Sequence, residues 1–382
     1  MSLLKKQNKQ NQDLYLENIK NIAALSALFT TTLEAPYLVS RATENIYCES
    51  LGAKNLGRDD TAIDAILDNV GVGIKTFLHN NGNTLQKVAE FNRDSHLYRD
   101  LVPKEKVRRI AELRNERLQF AINNYGVTSL IYHCITRKKD GTVCFYETPM
   151  DFIDIKNIKN VVSKQNSIAF EDGLNEYSFN LTKSVLMKRF SLTDTKYLAG
   201  KVQVEIIDNP YELLSKLITT HSARIVQTKS NPFVVLPLYS FSNSKGKFVA
   251  EKSGLNQWNA GGRARNANEV YIPISSKIHQ VFPGFFPSRD IKFELILPNG
   301  NKLSTKVCQD GNKALMSDPN KALGKWLLRD VLDIKELQIL TYEKLETIGI
   351  DSVRVTKIDS FTYEIEFMEL GSYDEFAIEH NI

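Results

Sequence analysis

The sequence predicts two units of different class: an α/β (α+β) unit over residues 1–224 and an all-β unit over 232–382, joined by a linker at 225–231. Three observations carry this. A chain of 382 residues is longer than one hydrophobic core usually serves. The first part mixes helical spacing with short strand-like runs, whereas the last part is short apolar segments cut by Gly, Pro and Asn turns. Polar residues run from Ala223 to Asn231 and give way to the apolar run PFVVLPLY, which marks the join.

Taken in order, Leu16, Ile19, Ile22, Ala23 and Leu25 recur at three and four, so residues 13–48 read as helix. Pro36 interrupts it, and a second helix is expected over Tyr37–Cys48. Strands Thr61–Leu67 and Val70–Phe77 meet at Asp68-Asn69, residue types that tolerate the positive φ of a tight hairpin turn. Thr84–Asn92 reads as helix and Lys104–Tyr125 as a long charged helix. Strands at Ser129–Thr136 and Thr142–Glu147 flank the turn Lys139-Asp140-Gly141, followed by a strand at Val202–Ile207 and a helix at Pro210–Ile218. In the last unit strands are expected at Glu269–Ile274, Ile291–Leu297, Leu303–Val307, Ser352–Ile358 and Thr362–Phe367. Helices fall near Ala322–Leu328 and Tyr342–Ile348. Several short strands with few helices suggest an open barrel.

Composition narrows the classes. Hydrophobic residues at 42% and charged residues at 25% are ordinary for a soluble globular protein. No stretch approaches the ~18 consecutive apolar residues of a membrane helix, and MSLLKKQNKQNQDLYLENIK lacks the apolar core and cleavage site of a secretory signal. Cys48, Cys134, Cys144 and Cys308 are isolated, with no CxxC pair. Reduced thiols in a cytoplasmic protein are expected, and a structural zinc is not. Between Asn256 and Arg329 there are 11 Lys+Arg against 5 Asp+Glu, and beyond Arg329 there are 4 against 13. Such a split points to one positive face that attracts phosphates.

Two segments inside the positive stretch stand out: SGLNQWNAGGRARNANEVYIPI (253–274) and VCQDGNKALMSDPNKALGKWLL (307–328). Each combines amides, cations, glycines and one Trp beside a strand. Arginine can bridge guanine O6 and N7, and Asn or Gln can bridge adenine N6 and N7. Asn256, Gln257, Asn259, Arg263 and Arg265 are therefore candidate base readers, and Gly261-Gly262 would let the backbone follow a groove closely. Ser317, Asn320, Lys321 and Lys325 suit phosphates, which fix register without reading sequence. Trp258 and Trp326 are expected in the core, because Trp has large apolar area to bury.

These two segments resemble the B3-like effector domains of restriction endonucleases, over roughly 232–370. The resemblance implies a pseudobarrel whose two arms clasp the major groove of double-stranded DNA like a wrench. Asn256 to Arg265 would form the first arm and Gln309 to Lys321, with Lys313 between, the second. It also implies a Type II site-specific endonuclease, allows a homodimer, and implies a cognate DNA methyltransferase as functional partner.

The first unit then becomes the candidate for cleavage. AIDAILDNVGVGIKTF resembles, divergently, the hairpin of PD-(D/E)xK nucleases, which needs an Asp on one strand and an acid-x-Lys on the next. Asp64 and Lys75 fit, but Gly73 occupies the position of the second acid. That carboxylate is sought at Glu90, with Gln86 one turn before it on the expected helix, or at Glu44 or Glu49. The resemblance implies Mg²⁺, with Asp64 and Glu90 as its ligands, to polarise the phosphate and activate water. Lys75 would orient water or stabilise developing charge. None of the six histidines is followed two residues on by Lys, so the HxK chemistry of phospholipase-D-type nucleases is closed, and no Walker loop is present. The rival reading is a non-catalytic DNA-binding protein whose first unit dimerises it or recruits a partner.

Overall fold

The structure, a computed structural model, describes residues 2–57, 61–220 and 231–382. All but the last residue of the linker expected at 225–231 lies outside them. The chain divides into two compact units, Met1–Leu118 with Val127–Thr228, and Gln119–Gly126 with Lys229–Ile382.

Unit 1 begins with helices α1 (Leu3–Lys6), α2 (Lys9–Ala24) and α3 (Ser40–Leu51). The Asn8 side chain caps α2 by accepting from Asn11 N at 2.8 Å, supplying a partner for an amide the helix cannot satisfy. Strands β1 (Lys54–Asn55), β2 (Ala65–Leu67) and β3 (Val70–Leu78) follow, then β4 (Asn83–Glu90) and helix α4 (Pro103–Tyr125). Next come β5 (Ser129–Arg137), β6 (Thr142–Pro149), β7 (Lys159–Lys164), β8 (Ser167–Glu171), β9 (Glu176–Asn180), β10 (Val185–Ser191), β11 (Leu198–Gln203) and α5 (Pro210–Thr220). Two sheets result, one ordered β1-β2-β3-β5-β6-β11 and one ordered β4-β10-β9-β8-β7. The β2–β3 hairpin turns at Asp68 (φ 51°) and Asn69 (φ 60°), as its residue types require. β3 and β5 are parallel. A core of Tyr15, Ile19, Tyr47, Val72, Ile74, Ile135 and Phe145 packs α2 and α3 on the first sheet. Within it Tyr15 Oη meets His133 Nε2 at 2.8 Å, and Glu147 meets His133 Nδ1 at 3.2 Å and accepts from Leu4 N at 3.0 Å.

Four expectations change. The strand expected at Thr61–Leu67 begins only at Ala65, where β3 first pairs with it, so Asp64 precedes it. Thr84–Asn92 is strand β4, paired along its length with β10; the cross-strand partner decides against the helical spacing of its apolar residues. The strand expected at Val202–Ile207 lies earlier, at Leu198–Gln203, where β6 supplies its hydrogen bonds. In the last unit only Ile272–Pro273 of the run 269–274 pairs.

Unit 2 contains β12 (Phe233–Pro237), the hairpin β13 (Ser240–Ser242) and β14 (Gly246–Phe248), β15 (Ile272–Pro273), α6 (Ser276–Val281), β16 (Lys292–Ile296), β17 (Lys302–Cys308) and β18 (Ala314–Ser317). It ends with α7 (Ala322–Gly324), which continues as a π-helical turn over Lys325–Val331, then α8 (Tyr342–Ile348), β19 (Ile350–Lys357), β20 (Thr362–Glu369) and α9 (Ser372–His380). Seven strands form one sheet ordered β12-β19-β20-β16-β17-β18-β15. Its two edge strands, β12 and β15, touch, so the sheet nearly closes into a barrel. Leu236, Ile272, Leu295, Leu315, Val353 and Tyr363 fill the interior. Trp326 is buried against Phe367 and Trp258 is half-buried against the same core, so both tryptophans pack as expected. Phe120 also belongs to this core, edge-on to Phe367. No helix among the described residues is long and apolar enough to cross a membrane.

Candidate nucleic-acid interface and candidate catalytic centre

In unit 2 both segments become loops rooted on one scaffold. The first leaves a 3₁₀ turn (Gly254–Asn259) and runs as irregular chain to Asn268. The second spans from Gln309 through β18 to Lys321. The base of the first is held by Arg329, on the helical run that follows the second. Its Nε donates to Asn268 Oδ1 at 2.8 Å and its Nη2 to Ala267 O at 2.7 Å, while Nη1 donates to Ile334 O and Lys335 O at 2.8 and 2.7 Å. Gly324 allows the approach, since a Cβ there would fall 2.7 Å from the Asn268 carbonyl carbon and nearer still to its oxygen. Neither residue was singled out from sequence for this role; a Gly and an Arg beside a helical run carry no signal of it.

Gln257 and Arg263 from the first arm and Gln309 and Asn320 from the second line one cavity of about 570 Å³, with Lys306 of β17 on its wall. Gln257 Oε1 is buried there without a hydrogen-bond partner. Arg263 remains 58% exposed while pairing with the buried Glu269 carboxylate. Arg265 is turned inward: its Nη1 donates to Ala260 O at 2.8 Å and Gly261 O at 3.1 Å, so its guanidinium braces the loop. Lys313, Asn320, Lys321 and Lys325 are exposed, Lys325 pairing with Asp330 at 3.1 Å.

Two expected contacts move inside. Asn256 is fully buried; its Nδ2 donates to Ala250 O and Leu340 O, and its Oδ1 accepts from Leu340 N at 2.9 Å. With its amide consumed it locks the arm's root and cannot read a base edge. Ser317 is likewise buried, accepting from Leu323 N at 2.8 Å and donating to Pro319 O, so it holds the second arm's bend. Asn259 donates to Glu251 O at 3.0 Å and keeps partial exposure.

In unit 1 the hairpin brings Asp64 and Lys75 together. The ladder ends at Ala65↔Val72, and Asp64, one residue before β2, donates its backbone N–H to Val72 O at 2.8 Å. Lys75 Nζ lies 3.9 Å from Asp64 Oδ2, which also accepts from Ile74 N at 2.6 Å. A Cβ at Gly73 would press on Met150 and Tyr132, so the strand is closely covered where an acid was sought. Glu44, on α3, feels the charges of this pair and forms its own ion pair with Arg41 at 2.8 Å. Burial pushes its carboxyl up, the Asp64 charge adds to that, and Arg41 and Lys75 oppose it. Glu90 sits exposed on β4 in the other sheet, engaged with Lys87 at 2.8 Å and with Asn92, and Gln86 shares that strand. Glu49 is exposed on α3. The helix expected to carry Glu90 inward is a strand, which removes the basis for that assignment.

Among the described residues no group of three or more His, Cys, Asp or Glu is placed to hold a metal ion. Asp64, beside Lys75, and Glu44, coupled to it by charge, are the residues that would hold Mg²⁺, which keeps several waters and takes one or two protein carboxylates together with substrate phosphate.

Residues 231–359 match the family described as the NgoFVII C-terminal B3-like DNA-binding domain. No curated protein matches the chain.

Proposed function

We propose that the chain is a Type II restriction endonuclease, in which unit 2 reads a specific duplex from the major groove and unit 1 hydrolyses its phosphodiester bonds with Mg²⁺. The observation that carries the DNA-reading half is the meeting of Gln257, Arg263, Gln309 and Asn320 around one cavity, within the region that matches a DNA-binding family. Arginine and amide side chains are the donors and acceptors that distinguish base edges there, and the exposed Lys313, Lys321 and Lys325 suit the flanking phosphates. The cleavage half rests on Asp64, Lys75 and Glu44. Mg²⁺ held by the two carboxylates would polarise the scissile phosphate and acidify its bound water. Lys75, tethered 3.9 Å from Asp64, would present its ammonium to the charge developing on the phosphate. A cognate methyltransferase would protect the host's own copies of the site.

Incubating the protein with supercoiled plasmid, with and without Mg²⁺, tests both halves. Discrete fragments only with the metal are expected. Sequence-specific binding without any cutting would instead make it a DNA-binding protein whose first unit serves assembly.

A further inference from the structure

At the ends of β3 and β5, Leu78–Asn81 and Arg137–Asp140 line a second cavity in unit 1, of about 620 Å³. Its lining carries Arg137, Lys138, Lys139 and His79 against the single acid Asp140. Lys139 is neutralised by Glu34 at 2.6 Å, and Asp140 Oδ1 is occupied in holding the turn, accepting from Thr142 N at 2.8 Å. Arg137 and Lys138 have no carboxylate partner among the described residues. The Arg137 guanidinium lies over the Tyr37 ring and donates to Pro36 O, and its buried Nε has no partner.

His79 stacks on Tyr146 and meets Thr136 Oγ1 through Nδ1 at 3.1 Å. The Thr136 hydroxyl donates to Cys144 O, so it accepts from Nδ1–H, and Nε2 is left to take a second proton. Uncompensated cations around a cavity recognise a phosphate oxygen. The position selects the source. His79 stands one residue beyond the end of β3, four residues and about 13 Å on from Lys75, with Phe77 between them packed under Phe190 of β10. A nucleic-acid strand spanning that distance would meet both.

We propose that this cavity seats a phosphate of the DNA backbone a few nucleotides from the bond that Lys75 would meet. The seat rests on the reading of β3 as the cleavage strand. It positions DNA on unit 1 independently of the arms, and contributes affinity without sequence preference. Burial and the adjacent Lys138 hold the His79 imidazolium down, while Asp140 weakly favours it. A bound phosphate opposes both depressing effects, with Arg137 and the Lys139–Glu34 pair as the remaining charged groups there and Tyr146 stacked but uncharged. Binding should therefore tighten as pH falls through the histidine range.

Lys138→Gln and His79→Ala in the full chain test this, with thermal unfolding to confirm folding. Lys138→Gln should lower the slope of log affinity for a random-sequence duplex against log salt by about 0.9. Inorganic phosphate added to the wild type should move the His79 ring resonances, and Lys138→Gln should abolish that movement. Phosphate binding with an unchanged slope would mean a seat for free anions and overturn the backbone assignment. No movement with phosphate would remove the seat altogether. Wild-type protein that ignores DNA entirely would sink the proposed function, while the phosphate titration would still decide this cavity.

Discussion

Gly324→Ala probes how the two arms are held. The added Cβ would lie within 3 Å of three backbone atoms of Asn268, and real side chains keep a wider contact, so the arm's root must retreat by about 1 Å. Backbone cannot swing away as a flexible side chain can. Overpacking of this kind costs about 1–3 kcal/mol. The retreat also stretches the Arg329 bonds to Asn268 Oδ1 and Ala267 O, part of the ~1.5–3 kcal/mol typical of a hydrogen bond to a charged group. A loss near 2–3 kcal/mol follows, which in a unit of this size lowers the melting temperature by about 4–12 °C. Differential scanning calorimetry and duplex-binding isotherms would measure both consequences. Gly261→Ala is the matched control, since nothing lies within 4 Å of its Cβ; it should melt with the wild type and lose affinity only if the loop backbone enters the groove. A Gly324→Ala protein that melts and binds as the wild type does would refute the clasp.

Asp64→Ala and Lys75→Ala should abolish plasmid cleavage while leaving specific binding intact, whereas Glu90→Ala should cut normally; cleavage by either of the first two at the wild-type rate would remove the centre. Glu44 is held above the ordinary glutamate value of 4.5 by burial and Asp64. It therefore takes up its proton at a higher pH than a free glutamate, and apparent Mg²⁺ affinity should begin to fall in that higher range; a profile that stays flat down to pH 4.5 would exclude Glu44 as a ligand. Arg263→Ala should cost roughly 1–3 kcal/mol at one base pair, and it should be made with Glu269→Gln because the single change strands a buried carboxylate. Lys321→Ala should weaken all sequences alike and reduce the salt slope by about one, and binding measured across single-base variants at two salt concentrations separates the two behaviours.

Parts of both units were legible because their signals are local. Tyr342–Ile348 is helical as its spacing implies, and Asp68-Asn69 turns where residue type demands positive φ. The sheet β7 to β10 went unread although runs such as SIAFE and EYSFN alternate buried and open positions. Thr84–Asn92 misled because a short apolar run satisfies helix and strand patterns alike, and β10 decided between them. At the sites the obstacle was direction. Asn256 and Gln257 are adjacent amides of similar chemistry, yet one closes on Leu340 and Ala250 while the other lines the cavity. Likewise Glu44 and Glu90 could each have joined Asp64 on paper. Only the packing of α3 against the hairpin, a tertiary fact, brings Glu44 near.

The Arg329 clasp separates two kinds of sequence change. Its hydrogen bonds to Ala267 and Asn268 and the Gly324 approach fasten the root of the first arm to the helical run that follows the second, while Lys313, Asn320 and Lys321 stand exposed beyond them. Substitutions at those tips leave the clasp intact, so the site that is read can drift with little loss of stability. Descendants of such a domain would be expected to diversify at the tips and to keep the Gly and Arg beneath. In engineering, a library confined to the exposed arm positions would vary what is recognised without re-solving the fold.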